Sequence, residues 1–279
     1  MGSEALADAA IADSSLDALR AMMSMEPALE KRWSKGFHVT GSGVTLDRSG
    51  NVTGLDIGGG RLRRLSASEF TTPLSKSLLT LNLGATDLPL DSIKSIVASL
   101  RALQMLYLGG NGIGDGGVLA LEGALGTSIR VLDLRYNDIG PEGCSVLSRI
   151  VGNHGNIKIL HLEGNQISDD GAAALGQALS SPLCAVTELY LGDNGIGPTG
   201  ASSLAGAMGS SSALVKLYLE GNQIGPKGAA VFSAALEGLN DVVGERVFRN
   251  LYVDNNGIGK VDMKRLANAI NSETTIEEN

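Results

Sequence analysis

Hydrophobic residues recur along the chain in one repeated pattern, L-x-x-L-x-L-x-x-N-x-I, whose central L-x-L alternates apolar and other residues. Six copies keep the asparagine of this pattern, as Asn111, Asn137, Asn165, Asn194, Asn222 and Asn256. Two less regular copies come first, with Gly60 and Thr86 at the same position. Strict alternation indicates a short strand with one buried face. The pattern therefore predicts eight strands.

The second half of each unit has a different periodicity. Apolar residues recur there at i, i+3 and i+7, which is the spacing of one face of a helix. The eight sets are Ala67/Phe70/Leu74, Ile93/Ile96/Leu100, Val118/Leu121/Leu125, Cys144/Leu147/Val151, Ala172/Leu175/Leu179, Ala201/Leu204/Met208, Ala229/Phe232/Leu236 and Met263/Leu266/Ile270. A unit of strand, turn and helix can bury its apolar face only against its neighbours. The sequence thus predicts an α/β solenoid of about eight repeats.

The ends of the chain depart from the repeat. An apolar helix face formed by Leu16, Leu19 and Met22 precedes Pro27, which should end that helix. Two β-rich segments then flank Arg48 to Asn51, which predicts a hairpin. We expect a helical and hairpin cap over residues 1–49, repeats over 50–270 and a tail over 271–279. The longest repeat has about six extra residues within LEGLNDVVGERV, residues 236–247, and we expect them to form a loop after the seventh helix, either a tolerated insertion or a recognition element.

A glycine motif in the third repeat could have another meaning. The stretch LYLGGNGIGDGG contains G-x-G-x-x-G and is followed by an acid at Asp133, as in a dinucleotide-binding turn. The same motif recurs at Gly195, Gly197 and Gly200, so we interpret it as a feature of the repeat. In GPEG, GPTG and GPKG, the first glycine is predicted to cap a helix that begins at Pro141, Pro198 or Pro226. No cofactor is expected.

The consensus LxLxGNxIGxxGAxxLAxAL resembles the leucine-rich repeat family, and most of all its ribonuclease-inhibitor-like subfamily. The resemblance covers about residues 50–270. It implies a horseshoe with a parallel concave sheet, convex helices and an asparagine column that hydrogen-bonds the backbone of neighbouring turns. The order W…GVTLD…GNVTGLDI, with Trp33, resembles the N-terminal cap of plant-type members without its cysteines. We expect Trp33 to be a core residue.

Composition narrows the class of partner. The net charge of −8 argues against a nucleic-acid surface, which needs concentrated Lys and Arg. Cys144 and Cys184 are too few for a disulfide framework, and no apolar run is long enough to span a membrane. The start, MGSEALADAA, lacks the features of a signal peptide. We expect an intracellular protein, cytoplasmic or else in the nucleus or a cytoskeletal structure.

The exposed positions of the predicted strands are the candidate binding surface. The residue between the two closing leucines should point away from the core, and four of the five tyrosines of the chain stand at that position. Aromatic residues with an arginine are typical of protein interfaces, although tyrosine also suits strands in general. The candidate partner-binding residues are Tyr107, Arg135, Tyr136, His161, Glu163, Tyr190, Lys216, Tyr218 and Tyr252.

Catalytic and metal-binding patterns are weak by comparison. Of the three histidines, His38, His154 and His161, only the last can meet carboxylates, and an open sheet gives no enclosed pocket for acid–base chemistry. No His or Cys cluster has the spacing of a zinc site. The sequence predicts a non-enzymatic scaffold that binds a protein partner through its concave face, with no small-molecule substrate. The alternatives are a structural subunit of a larger assembly and, from the subfamily resemblance alone, a regulator of a small GTPase.

Overall fold

A computed structural model describes residues 11, 13–34, 36, 43–70, 72–153, 156–209, 213–240 and 248–269. The chain forms two compact units. Unit 1 comprises Met1–Asn111 and Gly123–Asp133, and unit 2 comprises Gly112–Glu122 and Leu134–Asn279. The eight strands predicted from the sequence are all present as β2 to β9, each at its predicted position.

Unit 1 combines two N-terminal helices with the first strands. Its elements are α1 (Asp13–Met25), α2 (Pro27–Trp33), β1 (Val44–Leu46), β2 (Val52–Asp56), α3 (Thr72–Ser77), β3 (Thr80–Asn82), α4 (Leu90–Ser99), β4 (Met105–Tyr107) and β5 (Val131–Asp133). Strands β1 and β2 form the antiparallel hairpin that the sequence predicts. The Asp47 carboxylate closes its turn by accepting the N–H groups of Ser49 at 2.8 Å and Asn51 at 3.0 Å. Strands β2 to β5 are parallel.

The N-terminal helices of unit 1 are joined to the first repeat by polar contacts. Glu26, between α1 and α2, is buried, and its carboxylate accepts the N–H of Leu65 at 3.1 Å. Arg32 donates to the Gly58 carbonyl at 3.2 Å. Trp33 is only 3% exposed, as expected for a core residue. The division into cap, repeats and tail stays a prediction, and so does the likeness to a plant-type cap.

Unit 2 alternates a strand and a helix from β6 onward. It contains α5 (Gly114–Glu122), α6 (Pro141–Asn153), β6 (Ile159–His161), α7 (Ser168–Leu179), β7 (Glu188–Tyr190), α8 (Pro198–Gly206), β8 (Lys216–Tyr218), α9 (Gly225–Asn240), β9 (Asn250–Tyr252) and α10 (Lys260–Ala269). Strands β6 to β9 are parallel, so that the central leucines of successive strands pair. These leucines are buried together with the apolar helix positions Ala172, Leu175 and Leu179.

The bounds of several helices differ from the predicted apolar faces: α5 ends before Leu125 and α8 ends before Met208. The first predicted helix face began at Ala67, but residues 67–70 form a turn and α3 begins at Thr72. Pro73 explains the difference, because a proline lacks the N–H that a helix interior needs and fits only the first turn. Helix α9 continues beyond Leu236, the last position of its predicted apolar face, to Asn240, so residues 237–240 are helical and do not belong to the expected loop. Residues 241–247 lie outside the described part of the chain.

The buried asparagines tie each turn of unit 2 to the preceding repeat. Asn222 is a representative case: its amide donates to the carbonyls of Leu191 at 2.9 Å and Leu219 at 2.8 Å. Its Oδ1 atom accepts the N–H groups of Asn194 and Ile196, both at 3.0 Å. One side chain therefore satisfies backbone groups in two repeats, which confirms the structural role expected from the family resemblance. Burial is tolerated because almost every polar group of the amide is paired.

Two aspartates account for the paired glycines that precede the helices. Asp169, in the first turn of α7, accepts the N–H groups of Gly197 at 2.6 Å and Gly200 at 2.9 Å, at the start of α8. A carboxylate at the N-terminus of a helix accepts hydrogen bonds from N–H groups that have no partner within the helix. Its negative charge also interacts favourably with the helix dipole. A Cβ atom on Gly200 would lie 2.7 Å from the Asp169 Oδ1 atom, so glycine is required. Asp115 binds Gly140 and Gly143 of the next repeat in the same way.

The glycines of the third repeat likewise shape the backbone. Gly112 and Gly114 have φ values of 59° and 56°, a left-handed conformation that glycine adopts at little cost. The N–H of Gly114 donates to the Asn137 carbonyl at 2.8 Å. The capping prediction is confirmed at Gly197 and Pro198, whereas α9 begins one residue before Pro226.

The asparagine contacts predict a large loss of stability on truncation. Asn222→Ala would leave several buried N–H and C=O groups without partners, so we expect the free energy of unfolding to fall by about 3 kcal/mol. The adjacent Gln223 is exposed, and Gln223→Ala should change it by less than about 0.5 kcal/mol. Urea denaturation of both variants measures the difference. Equal effects of the two substitutions would contradict the structural role of the amide.

A second prediction isolates the capping contact between repeats. Asp169 and Asp170 both stand in the first turn of α7, but only Asp169 reaches the start of α8. Asp169→Ala should therefore destabilise the protein by about 1 kcal/mol more than Asp170→Ala. Thermal unfolding followed by circular dichroism compares the two, and identical melting temperatures would disprove the capping role.

Candidate functional site

The sheet of unit 2 carries a column of four stacked rings on its exposed face. His161, Tyr190, Tyr218 and Tyr252 occupy the last position of β6, β7, β8 and β9, and we call them the aromatic column. Successive ring centroids lie 4.1, 4.1 and 4.2 Å apart, with interplanar angles of 21°, 7° and 2°. Parallel strands in register place equivalent side chains about 4.8 Å apart, which is suitable for stacking.

Lys216 and Glu188 lie on one side of the aromatic column, and Glu188 accepts a hydrogen bond from it. The Tyr190 hydroxyl donates to Glu188 Oε2 at 3.0 Å, and Lys216 Nζ lies 3.1 Å from Glu188 Oε1. Burial raises the pKa of Tyr190, and its hydrogen bonds with Tyr218 and Glu188 raise it further. The hydroxyl therefore stays protonated and acts as a donor. The hydrogen bond with Glu188 also raises the pKa of Lys216, which stays charged.

Acidic residues follow the other side of the aromatic column. Glu163, Asp193, Glu220 and Asp254 stand just after β6, β7, β8 and β9, and we call them the acidic row. His161 Nδ1 lies 3.2 Å from Glu163 Oε1, while the buried Oε2 atom has no hydrogen-bond partner among the described residues. Burial alone would raise the pKa of Glu163, but the His161 hydrogen bond and the charges of His161 and Arg135 lower it.

Carboxylates of the acidic row influence one another. Burial raises the pKa of Glu220, and the charges of Asp254, Glu163 and Asp193 raise it further. Each of these three carboxylates therefore lies close enough to Glu220 to disfavour its ionisation, because like charges repel. The part of the chain that the structure describes has no group of three His, Cys, Asp or Glu side chains that could hold a metal ion.

A glycine takes the place of an acid in the repeat of β7. Gly192 follows Tyr190 at the position that Glu163 and Glu220 occupy in the neighbouring repeats. A Cβ atom placed on Gly192 would lie 3.9 Å from Glu163 Cγ and 3.9 Å from Glu220 Oε2. Gly192 is itself buried beside these two side chains.

Tyr136 has an unusual backbone conformation for a bulky residue. Its φ is 53°, in the left-handed region, and the residue is 59% exposed. The ring lies over Gly164, which stands at the equivalent position of the next repeat with φ 67°. The other equivalents in unit 2 are Asp193, Gly221 and Asn255, residue types that tolerate this conformation better. A strained and exposed aromatic residue is a feature often found at binding sites.

Most of the residues predicted from the sequence lie in unit 2. The aromatic column contains four of them, Glu163 pairs with His161, Lys216 pairs with Glu188, and Arg135 acts on Glu163. Tyr107 belongs to unit 1, where its hydroxyl donates to Met105 Sδ at 3.8 Å. Glu188 and Glu220 are not among the residues predicted from the sequence, although acids stand two residues after Tyr218 and Tyr252.

The described residues offer little for nucleophilic chemistry. Cys144 is buried, and burial together with the charge of Asp115 raises the pKa of its thiol to about 12. Burial also raises the pKa of Cys184. His38 and His154 lie outside the described residues. Among the helices that the structure describes, none has the length and apolar character needed to cross a membrane.

Comparison with known proteins finds similar repeats. The family model described as Leucine Rich repeat matches residues 100–121, 127–148, 156–176, 184–205 and 210–233. The ribonuclease inhibitor of Sus scrofa is 34% identical over 113 residues, which are 39% of this chain and 25% of that protein. Human NACHT, LRR and PYD domains-containing protein 5 is 34% identical over 122 residues, 43% of this chain and 10% of that protein. The chain thus spans a quarter or less of these relatives.

A solved structure of another leucine-rich repeat protein has a similar fold. The leucine-rich repeat-containing protein LegL7 from Legionella pneumophila matches with a TM-score of 0.51 and 21% identity. The match covers 80% of this chain and 81% of LegL7. At this level of identity the likeness concerns the fold.

The conformation of Tyr136 predicts an unequal response to two truncations. Tyr136→Ala and Tyr136→Gly both remove the ring from Gly164, but only alanine retains a Cβ atom in the left-handed conformation. We expect the glycine variant to be more stable than the alanine variant by about 1 kcal/mol. Chemical denaturation of the two variants tests this, and a more stable alanine variant would show that the conformation carries no strain.

Proposed function

We propose that this chain, a leucine-rich repeat protein of the α/β class with ribonuclease-inhibitor-like repeats, is a non-enzymatic scaffold that binds a protein partner through the exposed sheet face of unit 2. Leucine-rich repeat proteins generally mediate protein–protein interaction, and the inhibitors among the relatives are named for their action on another protein, a ribonuclease. The residues that would carry binding are the aromatic column, Arg135, Tyr136, Glu163 and Lys216. Tyr107, the remaining candidate from the sequence, lies in unit 1.

The aromatic column is the observation that supports this proposal most strongly. Tyrosine provides a large contact area with a polar tip and is enriched among the residues that dominate interface energies. Three successive ring contacts of about 4.1 Å restrain the side chains before any partner binds. Binding to such ordered side chains costs less conformational entropy than binding to mobile ones. The bond from Tyr190 to Glu188 restrains the column further.

A capture experiment tests the proposal. Tyr190→Ala combined with Tyr218→Ala should lower the capture of the partner from cell lysate by about tenfold, because loss of central interface aromatics costs 2 kcal/mol or more. The control is Leu119→Ala combined with Leu183→Ala, which removes two exposed side chains elsewhere in unit 2 and should leave capture unchanged. Circular dichroism confirms that both variants are folded, and mass spectrometry identifies the captured protein.

The opposite pattern would contradict the proposal. Capture that survives the tyrosine substitutions and fails in the leucine control would favour a structural subunit held by its helices. Faster GTP hydrolysis by a small GTPase in the presence of the chain would favour the regulatory alternative instead.

A further inference from the structure

We propose that Ser66 is a phosphorylation site for a serine/threonine kinase that recognises arginine side chains, and that the phosphate opens the turn at residues 66–70. The site lies in unit 1, in the loop between β2 and α3. It goes beyond the proposed function, which concerns the exposed sheet face of unit 2, so either proposal can fail without the other.

The residues before Ser66 carry the charge pattern that such a kinase recognises. Arg63 and Arg64 stand three and two residues before the serine, in the segment RRLS. Kinases of this class bind the two guanidinium groups with carboxylates of their own and place no requirement on the residue next to the serine. The net charge of the whole chain is −8, so the attraction for an acidic kinase surface is confined to this segment.

The structure exposes the residues that a kinase recognises and buries the one that it does not. Arg63 and Arg64 are exposed and form no ion pair with any residue that the structure describes. Leu65, on which the kinase places no requirement, is 0% exposed, whereas Ser66 is half-buried. Residues 61–66 belong to neither a helix nor a strand, and such segments open locally at low cost.

A second segment with the same charge pattern lies in a helix. In KRWS, Lys31 and Arg32 precede Ser34, but both belong to α2. The Arg32 guanidinium already donates to the Gly58 carbonyl at 3.2 Å. The helix also holds this backbone in its own hydrogen bonds, so the segment cannot extend into a kinase cleft without unfolding. Ser34 is therefore an internal comparison for Ser66.

Glu69 holds Ser66 in its place at the start of the turn. Its carboxylate accepts the Ser66 N–H at 2.7 Å and the Ser66 hydroxyl at 3.0 Å, and it also accepts the Ser68 hydroxyl. Burial alone would raise the pKa of Glu69, but these hydrogen bonds lower it, so the carboxylate is charged at neutral pH. A negative charge added to Ser66 would therefore lie against another negative charge that is buried.

Phosphorylation replaces this contact with a repulsion. The Ser66 Oγ atom attacks the γ-phosphorus of a nucleoside triphosphate, the bond from that phosphorus to the bridging oxygen breaks, and the nucleoside diphosphate leaves. The hydroxyl proton passes to the catalytic base of the kinase. The product carries about two negative charges at neutral pH and no longer donates to Glu69. Because Phe70 at the end of the turn is buried, opening of the turn disturbs the core of unit 1.

Phosphorylation of the folded chain tests the site. The full chain is incubated with ATP and the catalytic subunit of cyclic-AMP-dependent protein kinase, and mass spectrometry of the intact chain and of its peptides counts and locates the phosphates. We expect one phosphate, on Ser66, and none on Ser34. Ser66→Ala should abolish the incorporation. The peptide map of the unaltered chain decides the question if that variant is not folded.

Two double variants test the role of the arginines. Arg63→Ala combined with Arg64→Ala should lower the initial rate of phosphorylation by about tenfold or more, because it removes two charged hydrogen-bond donors from the kinase complex. The matched control is Arg48→Ala combined with Arg101→Ala, which removes two exposed arginines elsewhere in unit 1 and should leave the rate unchanged. Circular dichroism confirms that both variants are folded.

The melting temperature reports the opening of the turn. The phosphorylated chain should melt about 3 °C below the unmodified chain. An unchanged melting temperature would overturn that part of the proposal. Phosphate on Ser34 or Ser68 in place of Ser66, equal rates for the two double variants, or absence of phosphate on the folded chain would overturn the site itself.

Discussion

The hydrogen bonds of the buried asparagine side chains are the interaction on which the repeats of unit 2 depend. Each amide donates to carbonyls of its own turn and of the preceding one, and its oxygen accepts N–H groups that no strand can satisfy. The turns are thereby fixed at one spacing and in one register. Strands of three residues could not hold this register through their own ladder alone, because so short a ladder provides few hydrogen bonds.

The arrangement of the side chains on the exposed face of the unit 2 sheet follows from that register. Because equivalent residues of β6 to β9 pair with one another, His161 and the three tyrosines stack, and the acids that follow the strands form a row beside them. The core leaves these positions free to vary, so they can carry a partner's specificity without cost to the fold. Gly192 and Tyr136 each differ from the equivalent residues of the neighbouring repeats, the first because it lacks a side chain and the second because it places a large ring in a strained backbone conformation.

Much of this could be predicted from the sequence, since the spacing of buried leucines fixes strands, helices and the direction of each side chain. The register of the repeat also places the tyrosines in one column. The exact ends of the helices could not be predicted in this way. Helix α3 begins only at Thr72, next to Pro73, and α9 extends to Asn240, beyond its predicted end. The link from Asp169 to Gly197 joins residues 28 positions apart and leaves no local pattern. The repulsion between the carboxylates of Glu163 and Glu220 likewise depends on where their side chains point, which the spacing in the sequence does not reveal.

The central claim is that the exposed sheet face of unit 2 is the surface that binds a protein partner. Hydroxyl-radical footprinting of the full chain, alone and with its captured partner, measures this most directly. The account predicts that oxidation of Tyr136 and Tyr218 falls on binding, while the exposed Leu183 and Val261 keep the reactivity they have in the free protein. Protection of Leu183 and Val261 with unchanged oxidation of the tyrosines would contradict it.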